Sequence, residues 1–587
     1  MASTSKLLTQ SELEEIVRAY EAGKDDEDVP LNNTEPESLS ETEDNDLSES
    51  EHSDTILAEP EVSEEDSEDS EKDSDLRRKV IYGKNGFKWY KTPFFSKNTR
   101  TVQKNIVLRL PGPKAHASNT PEEILAWKLF FSDSMIDSIT QYTNQEISKQ
   151  CTKYKTQSFT TATSKEEVLA LFGLLYFSGV LKTSYLSTSD LWSKQIGMPI
   201  FRATMSQKRF EFLINCLRFD DKTTRDERKR DDKFAAIRSL WNEFIENCES
   251  NYTPGAYVTI DEQLLSFRGR CPFKVYIPNK PDKYGIKIVM LCDSKTFYMC
   301  SAIPYVGKER RDVSEALPTH YVLRLCKNLY GSNRNVTMDN WFSSSDLAKK
   351  LLQKKLTMVG TLRKNKSDIP PEFLKKKKLV PSTDFAFDEN MTLVSFSPKP
   401  TKIVLLLSTF HTYGVIDEDT SKPEVVLLYN STKGGVDTYD QLCHSKTVAR
   451  KTRRWPLRVF YGMLDGAGIN GYVIYSANRT KSDPNLKITP RKDFLRHLAL
   501  QLVTPQLKKR LEIPTLSRFL RFMILDVLGQ EDQPVIRNEE TQPPTHKRCQ
   551  VCPRSANRKG RDVCVRCKAC LCAEHRRPLC PTCTEEI

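Results

Sequence analysis

The amino-acid sequence predicts a multidomain α/β protein with a disordered acidic N-terminus and a cysteine-rich C-terminal end. Three observations support this prediction. At 587 residues the chain is too long for one hydrophobic core. Its apolar residues recur with a helical period from about residue 120, with a period of two from about residue 256, and with a helical period again from about residue 450. Eight of its 16 cysteines lie between Cys549 and Cys583.

Charge divides the chain into an acidic segment and a basic body. Residues 1–76 contain 27 Asp and Glu but 4 Lys and Arg, a net charge of −23, whereas the remainder carries +34. A segment so acidic, with almost no aromatic residues, cannot bury enough apolar surface to fold. It is either a solubilising tail or an arm that competes with a polyanion for the basic body. A basic body of this size indicates nucleic acid as the partner.

No stretch of the sequence predicts a membrane span or a signal peptide. The longest apolar stretch, residues 168–180, is too short to cross a bilayer. The N-terminus lacks a basic region followed by an apolar run. We therefore expect a protein of the cytosolic and nuclear side with no membrane partner.

Helical patterns with recognisable start signals occupy residues 120–255. Thr120 precedes a proline and predicts one helix start. Ser164, three residues before a glutamate, forms a capping box, and Ser206 predicts a third start. A further helical pattern covers residues 234–244. We therefore predict a helical domain ahead of the strand-rich middle.

The middle of the chain carries strand patterns interrupted by acids. We predict strands at residues 257–267, 286–292, 297–305, 335–338 and 356–362. A helix is predicted at residues 344–352, between the last two strands. Asp261 interrupts the first strand, Asp339 ends the fourth, and Asp437 follows a Gly-Gly turn. Each acid alone fits a helix cap or an ion pair with arginine, because a buried carboxylate needs a partner. Three such acids together predict a cage for two hard divalent ions.

Five strings of residues resemble one known family. They are TIDEQLLSFRGRCPF at 259–273, YIPNKPDKYGIK at 276–287, TMDNWFSSSDLAKKLL at 337–352, KGGVDTYDQLC at 433–443 and ARKTRRWP at 449–456. Together they resemble the piggyBac-superfamily DNA transposases. The resemblance runs from about residue 130 to the C-terminus and does not include the N-terminal region.

The resemblance implies an RNase H-like catalytic domain with an insertion, an α-helical DNA-binding and dimerisation domain split around it, and a C-terminal cross-brace zinc finger. Strand patterns in the middle of the chain agree with such a fold. We assign residues 1–119 to the disordered N-terminal region, 120–255 to the first helical part, 256–367 to the first catalytic part and 368–422 to the insertion, which has predicted strands at 392–396 and 403–408. The second catalytic part is 423–446, and we expect the catalytic fold to resume at 425–429. The second helical part is 447–529, a linker is 530–545, and the finger is 546–587.

The resemblance also implies a reaction. Asp261, Asp339 and Asp437 correspond to catalytic aspartates that hold two Mg²⁺ ions, which Mn²⁺ can replace, and Asp440 corresponds to an accessory acid on the same helical face as Asp437. Such enzymes nick transposon ends, excise through hairpin intermediates and integrate at TTAA. We expect a nuclear enzyme that acts on double-stranded DNA as a homodimer, without a small-molecule substrate. The alternative is a domesticated nuclear DNA-binding or chromatin protein without transposition activity.

Basic residues near these strings are candidate DNA contacts. For each of them a solvated surface charge is the alternative, and Trp455 is explained equally well as core or as a residue that stacks on a base. Two of them, Arg363 and Lys366, correspond to target-DNA contacts in the family. The candidates are Arg268, Arg270, Lys283, Lys287, Arg363, Lys366, Arg450, Lys451, Arg453, Arg454 and Trp455.

The C-terminal cysteines form four metal-ligand pairs: Cys549 with Cys552, Cys564 with Cys567, Cys572 with His575, and Cys580 with Cys583. Without a secretory signal such pairs indicate metal binding rather than disulfides. Four pairs suffice for two tetrahedral Zn²⁺ sites, and Cys570 is an alternative to Cys572. The family favours a cross-brace, in which the first pair joins the third and the second joins the fourth. Interleaved arginines favour a reader of DNA ends over a purely structural module or a ubiquitin-ligase RING.

Overall fold

The computed structural model describes residues 79–95, 101–154, 158–278, 280, 282–307, 315–375, 379–483, 485, 487–530, 547–564 and 569–576. The predictions for residues 1–76 and for most of the linker fall outside this part of the chain. The chain divides into two compact units. Unit 1 comprises Met1–Phe131, Thr224–Ser445 and Thr452–Phe494, and unit 2 comprises Ser132–Thr223, Lys446–Lys451 and Leu495–Ile587.

An 11-stranded mixed sheet forms the centre of unit 1. Its strands are β1 (Val80–Tyr82), β2 (Lys88–Tyr90), β3 (Tyr257–Ser266), β4 (Val275–Tyr276), β5 (Tyr284–Asp293), β6 (Met299–Pro304), β7 (Asn335–Met338), β8 (Thr357–Thr361), β9 (Ser382–Phe387), β10 (Thr392–Lys399) and β11 (Lys402–Ser408). The order across the sheet is β1-β2-β9-β10-β11-β8-β7-β3-β5-β4, and β6 also pairs with β5.

The middle of this sheet combines antiparallel and parallel pairing. Strand β5 pairs antiparallel with both β3 and β6. Strand β7 runs parallel to both β3 and β8. Because parallel neighbours end at the same edge, residues that follow β7 and β8 lie close together, next to the middle of the longer strand β3.

The helices are α1 (Glu123–Lys128), α2 (Asp133–Gln150), α3 (Lys165–Val180), α4 (Thr188–Leu191), α5 (Pro199–Thr204), α6 (Gln207–Cys216), α7 (Arg225–Asp231), α8 (Arg238–Asn251), α9 (Leu317–Leu325), α10 (Ser345–Gln353), α11 (Glu424–Thr432), α12 (Gly435–Ser445), α13 (Trp455–Ser482), α14 (Arg491–Leu511) and α15 (Arg518–Val527). Within unit 1, α12 and α13 pack against β3 and against each other. In the part of the chain that is described, no helix is long and apolar enough to span a bilayer.

Unit 2 is built from helices on both sides of the strand-rich middle. Helices α2 to α6 precede it, and α15 and most of α14 follow it. The predicted caps Ser164 and Ser206 are confirmed, because each side chain accepts the backbone N–H three residues later. Helix α3 packs closely on α14: a Cβ on Gly173 would lie 2.6 Å from the Val503 side chain. The second helical part is predicted to begin at residue 447, but α13 belongs to unit 1 with the sheet and is not part of this helical unit.

Two predicted helix starts are wrong. Thr120 does not cap α1, which has Glu122 at its N-cap, because the Thr120 hydroxyl donates to the carbonyl of Ala117 instead. The helix expected at 234–244 begins only at Arg238 and continues to Asn251. Residues 425–429, where the catalytic fold is predicted to resume, lie in unit 1 within helix α11, which begins after Pro423. Proline at the start of a helix has no N–H to lose, and this favours the helix here.

The insertion 368–422 does not form a sheet of its own. Its strands β9, β10 and β11 continue the main sheet, since β11 pairs antiparallel with β8 through Ser408 and Val359. The sequence predicts strands β10 and β11 correctly. Their partner strand cannot be read from the sequence, because alternation shows which face of a strand is buried and not which strand lies beside it.

The segment at 77–119 was expected to have low order, and this is wrong for the residues that are described. Strands β1 and β2 form a hairpin, and β2 pairs with β9. Trp89 is 1% exposed, and its indole N–H donates to the carbonyl of Asp368 over 2.7 Å. A single buried tryptophan anchors this hairpin to the sheet edge, although the surrounding sequence is basic and polar.

Candidate active site

Two acids that are distant in the chain lie side by side in the sheet. Asp261 is in the middle of β3, and Asp339 directly follows β7. The parallel register aligns Ile260 with Met338, so Asp261 and Asp339 occupy the next positions of the two strands. Neighbouring strands are about 4.8 Å apart. The pairing therefore brings both carboxyl groups to one place on the sheet.

Helix α12 brings two further acids to β3. Asp437 lies in its first turn and Asp440 one turn later. The approach is close because the helix begins with glycine: a Cβ on Gly435 would lie 2.5 Å from Oγ1 of Thr259. Thr259 precedes Asp261 by two residues and therefore shares its face of the strand. The start of α12 is thus fixed next to Asp261.

Burial and mutual repulsion set the electrostatics of these acids. The pKa of Asp261 is raised well above its ordinary value, first by burial and then by the charges of Glu262, Asp339 and Asp437. The pKa of Asp339 is raised to about 6, first by burial and then by Glu262. Among the described residues no arginine pairs with Asp261, Asp339 or Asp437. The interpretation that each acid pairs with an arginine therefore has no support among the described residues, and the group carries excess negative charge.

Two lysines lie next to the acids. Lys280 Nζ is 3.7 Å from Asp437 Oδ1 and 3.5 Å from the carbonyl oxygen of Glu262. Burial lowers the pKa of Lys280, but nearby acids, chiefly Asp261 and Asp437, outweigh burial and raise it. Lys287 Nζ is 3.5 Å from Glu262 Oε2 and lies over the Trp341 ring. Lys287, predicted as a DNA contact, is therefore held beside the acid group.

The donor set of this group fits a hard divalent cation. Asp261, Asp339, Asp437 and Asp440 offer oxygen atoms alone, which Mg²⁺ and Mn²⁺ prefer. Buried carboxylates with raised pKa values repel one another, and a cation removes that repulsion. Lys280 and Lys287 cannot balance these four acids together with Glu262, so the site can accept more positive charge than the described residues supply.

Two basic segments that are far apart in the sequence meet at the end of β3. The backbone of Arg270 forms a parallel bridge with that of Arg454. Gly269 is needed for this approach, since a Cβ there would lie 2.8 Å from the carbonyl oxygen of Arg453. The side chains of Arg268, Arg270 and Arg453 are exposed, and that of Arg454 is half-buried. We call these four residues the arginine patch, and it has the charge to bind phosphates.

The remaining basic candidates lie in different surroundings. Arg363, exposed, and Lys366, half-buried, follow β8 at the edge where Asp339 follows β7. Lys283 and Lys451 are exposed. Within unit 2, Arg450 donates to the carbonyl of Leu186 over 2.7 Å. A structural role therefore already accounts for Arg450.

Trp455 packs in an aromatic cluster of unit 1. Its ring centroid lies 5.0 Å from that of Phe273 and 5.4 Å from that of Phe234. The residue is half-buried, with part of its surface exposed beside the arginine patch. This placement favours the core interpretation for one face of the indole.

The C-terminal region contains one complete metal-ligand cluster. The ligand atoms of Cys549, Cys552, Cys572 and His575 all lie within 4.8 Å of one another, so the first predicted pair joins the third. Burial raises the pKa of the Cys549 thiol, but backbone N–H groups of Cys572, Cys552 and Val551 outweigh this and lower it to about 6. A thiol that ionises easily suits zinc binding.

The structure of this region favours Cys572 over Cys570 as the zinc ligand, and it does not test the second predicted zinc site. Cys570 pairs with Val563 in a short two-stranded sheet and is not a member of the cluster, which contains Cys572. Cys564 is buried against Ala569 and Leu571. Its predicted partners Cys567, Cys580 and Cys583 lie outside the described residues.

Comparison with known proteins settles the family. Residues 121–472 match the family model described as Transposase IS4. The chain is also similar to a solved structure, the cryo-EM structure of a piggyBac transposase synaptic complex with hairpin DNA. The two are 43% identical with a TM-score of 0.74, and the match covers 81% of this chain and 100% of that one. The chain belongs to the piggyBac transposase family.

Two human proteins are more distant relatives of this family member. PiggyBac transposable element-derived protein 3 and the chimeric ERCC6-PGBD3 protein are each 25% identical to it over 358 residues, or 57% of this chain. The match spans 58% of the first and 32% of the second. Membership of the family, predicted from the five strings, is therefore confirmed.

Sequence reasoning missed the position of Lys280 beside the acids and missed Gln263 altogether. Lys280 lies in a predicted string, yet no spacing separates it from its basic neighbours Lys283 and Lys287. Gln263 was not considered, although its Nε2 donates a 2.7 Å hydrogen bond to Asp440 Oδ1. The strand period provides a signal for Gln263, because it lies two residues after Asp261 and hence on the same face.

Proposed function

We propose that this chain is a cut-and-paste DNA transposase with an RNase H-like catalytic domain. The observation that carries the proposal is the adjacency of Asp261 and Asp339 on parallel strands, with Asp437 on the helix that packs against the strand of Asp261. The strand order β6-β5-β3-β7-β8, three antiparallel strands followed by two parallel ones, supports the fold assignment. Family membership supports DNA as the substrate.

Asp261, Asp339 and Asp437 are proposed to hold two Mg²⁺ ions, which Mn²⁺ can replace, and Asp440 assists them. When bound, the metal pair activates the attacking oxygen and stabilises the leaving oxygen of a phosphodiester. The acids bind and orient, and none of them attacks the DNA, so no covalent protein intermediate is required. Lys280 offsets part of their charge before metal binds, and its amine then lies next to the substrate phosphates.

The proposed reaction begins with a nick at each 3′ end of the transposon. The freed 3′-hydroxyl attacks the opposite strand, forms a hairpin on the transposon end and releases the flanking DNA. Water reopens the hairpin, and the restored 3′-hydroxyl joins target DNA at TTAA. One site can serve all these steps because it positions whichever oxygen is present. The solved relative is a complex with hairpin DNA, which supports the hairpin step.

DNA binding is proposed to involve three regions. The arginine patch, with Lys283 and Lys287 nearby in sequence, contacts the end DNA, and Arg363 with Lys366 contacts target DNA beside Asp339. The zinc cluster holds a finger that reads transposon ends, with a second Zn²⁺ at Cys564, Cys567, Cys580 and Cys583. Two ends must be cut together, which favours a homodimer on DNA, and the substrate implies a nuclear location.

A domesticated DNA-binding or chromatin protein is the second candidate. The two human relatives, one of them described as transposable element-derived, favour it. The discriminating feature is the acid group, since a DNA-binding protein has no use for two adjacent carboxylates with raised pKa values. This favours the transposase.

An excision assay in cells distinguishes an active transposase from a domesticated DNA-binding protein. The full chain is expressed with a donor plasmid in which a reporter gene is interrupted by the element's own terminal repeats at a TTAA. A transposase restores the reporter and leaves one TTAA, which sequencing of the repaired donor detects. Binding of the repeats without any restored reporter supports the domesticated protein instead.

A further inference from the structure

Alternate residues of β3 face the two helices α11 and α12. Thr259 Oγ1 donates a 2.5 Å hydrogen bond to the carbonyl of Thr432 at the end of α11. Asp261 follows two residues later, and Gln263 two residues after that, so the three side chains share one face of the strand. Gln263 is 4% exposed, and its Nε2 donates to Asp440 Oδ1 over 2.7 Å. Strand β3 thus holds the two helices at positions on both sides of Asp261.

The Gln263 amide is a neutral donor among acids. A carboxylate at this position would repel Asp440, and an aliphatic side chain would leave Asp440 Oδ1 without its buried donor. Nε2 also lies 3.8 Å from Cys443 Sγ, one turn further along α12. The other oxygen, Oδ2, is 3.7 Å from the exposed ring of His444. The short, partly buried hydrogen bond to Gln263 therefore sets the orientation of the Asp440 carboxyl group.

We propose that Gln263 is a positioning residue for the transposase reaction. Its amide holds Asp440 in the orientation in which this acid supports the group of Asp261, Asp339 and Asp437. The inference rests on the proposed function, in which these acids bind divalent metal. Removing a group that orients a metal-binding carboxylate lowers metal affinity by about 10- to 100-fold. Loss of the amide therefore weakens metal binding although no acid is removed.

Two substitutions separate the donor from the shape of the side chain. Gln263→Met keeps the volume and removes the donor, and Gln263→Glu keeps the shape and adds a charge. Gln441→Met, at an exposed position of α12, is the matched control. Electron paramagnetic resonance of free Mn²⁺, recorded while the zinc-loaded full chain is titrated, measures affinity at the acid group. We expect Mn²⁺ affinity about 10-fold weaker for Gln263→Met, weaker still for Gln263→Glu, and unchanged for the control.

A double variant distinguishes positioning from packing. If the amide acts through Asp440, Gln263→Met causes no further loss of Mn²⁺ affinity in an Asp440→Asn background. Equal losses in both backgrounds, or unchanged Mn²⁺ affinity for Gln263→Met alone, overturn the inference. Circular dichroism checks folding, and Gln263→Glu replaces Gln263→Met in the cycle if the latter does not fold. Wild-type protein that binds no Mn²⁺ at the acids contradicts the proposed function itself, so the two failures are distinguishable.

Discussion

Gly435 lies so close to Thr259 that a single added methyl group would reach 2.5 Å from the threonine Oγ1. This approach places the first turn of α12, with Asp437, beside the strand that carries Asp261. A glycine in a helix is costly because it lacks the conformational restriction of alanine. Here close packing accounts for it, and the distance between the helix and the strand decides whether the acids meet.

Gly435→Ala is expected to separate folding from catalysis. The added methyl group forces α12 away from β3, so nicking of end DNA falls at least 10-fold while DNA binding persists, and the protein loses about 1–3 kcal/mol of stability. Gly434→Ala is the matched control, because its Cβ would meet no atom closer than Thr438 Oγ1 at 3.7 Å. Nicking kinetics and urea unfolding of both variants check this. Equal behaviour of the two would show that the close approach is unimportant.

Lys280→Met is expected to destabilise the metal-free protein. Its amine is the cation beside Asp437, and without it the carboxylates of the acid group repel one another more strongly. We expect a lower unfolding temperature in buffer without Mg²⁺ and a smaller difference once Mg²⁺ is added. Lys283→Met, at an exposed neighbouring position, provides the control. A loss of the same size with and without Mg²⁺ contradicts this account of Lys280.

His411 predicts a pH dependence of stability within unit 1. Burial, and then the charge of Lys104, lower its pKa to about 3, and its Nδ1 lies 2.8 Å from Ser408 Oγ. The unfolded state, with a pKa of about 6.5, binds the proton first as pH falls. The stability from neutral His411 is therefore complete above pH 6.5 and declines toward pH 3 by at most about 1.4 kcal/mol per pH unit.

Urea unfolding of wild-type protein and His411→Asn at pH 7.5, 6.0 and 5.0 measures this effect. The variant is less stable than wild type at pH 7.5, and the difference shrinks at lower pH because only the wild type loses stability through this group. A difference that stays constant between pH 7.5 and 5.0 is incompatible with a buried neutral histidine.

Cys549→Ser is expected to remove one Zn²⁺ per chain and to weaken binding to transposon ends. It deletes a ligand of the cluster in which all four ligand atoms lie within 4.8 Å. A finger of this size depends on its metals for stability. Cys570→Ser is the control, and it keeps its zinc because Cys570 is not a member of the cluster. Metal content by mass spectrometry and end binding by gel shift report the result. If Cys549→Ser retains its full zinc content, Cys549 is not a zinc ligand. If its binding to transposon ends is unchanged, the finger does not read those ends.

Much of this site could be predicted from the sequence. The three catalytic candidates stand out because a carboxylate in an apolar strand or beside a turn needs a partner. The strand at 335–338 is predicted to the residue, since it contains the β-favouring Val336 and Thr337 and ends at Asp339. Pairing of the first and third ligand pairs in the finger follows from the resemblance.

Other features depend on contacts between distant segments. The arginine patch forms because Gly269 admits the backbone of Arg453, and no local pattern indicates that meeting. Trp89 anchors a hairpin through one buried side chain in an otherwise polar segment. Lys280 is distinguished from other lysines only by the acids around it. Each of these is a tertiary effect that outweighs local sequence preference.

Nicking of transposon-end DNA by Asp261→Asn tests the central claim most directly. The substitution keeps the shape of the side chain and removes one charge from the acid group, whereas Asp346→Asn changes an exposed surface acid and serves as the control. With Mg²⁺ present, Asp261→Asn is predicted to bind end DNA as the wild type does and to give no nick, while Asp346→Asn cleaves normally. Nicking by Asp261→Asn at the wild-type rate would contradict a metal-binding acid group in this transposase.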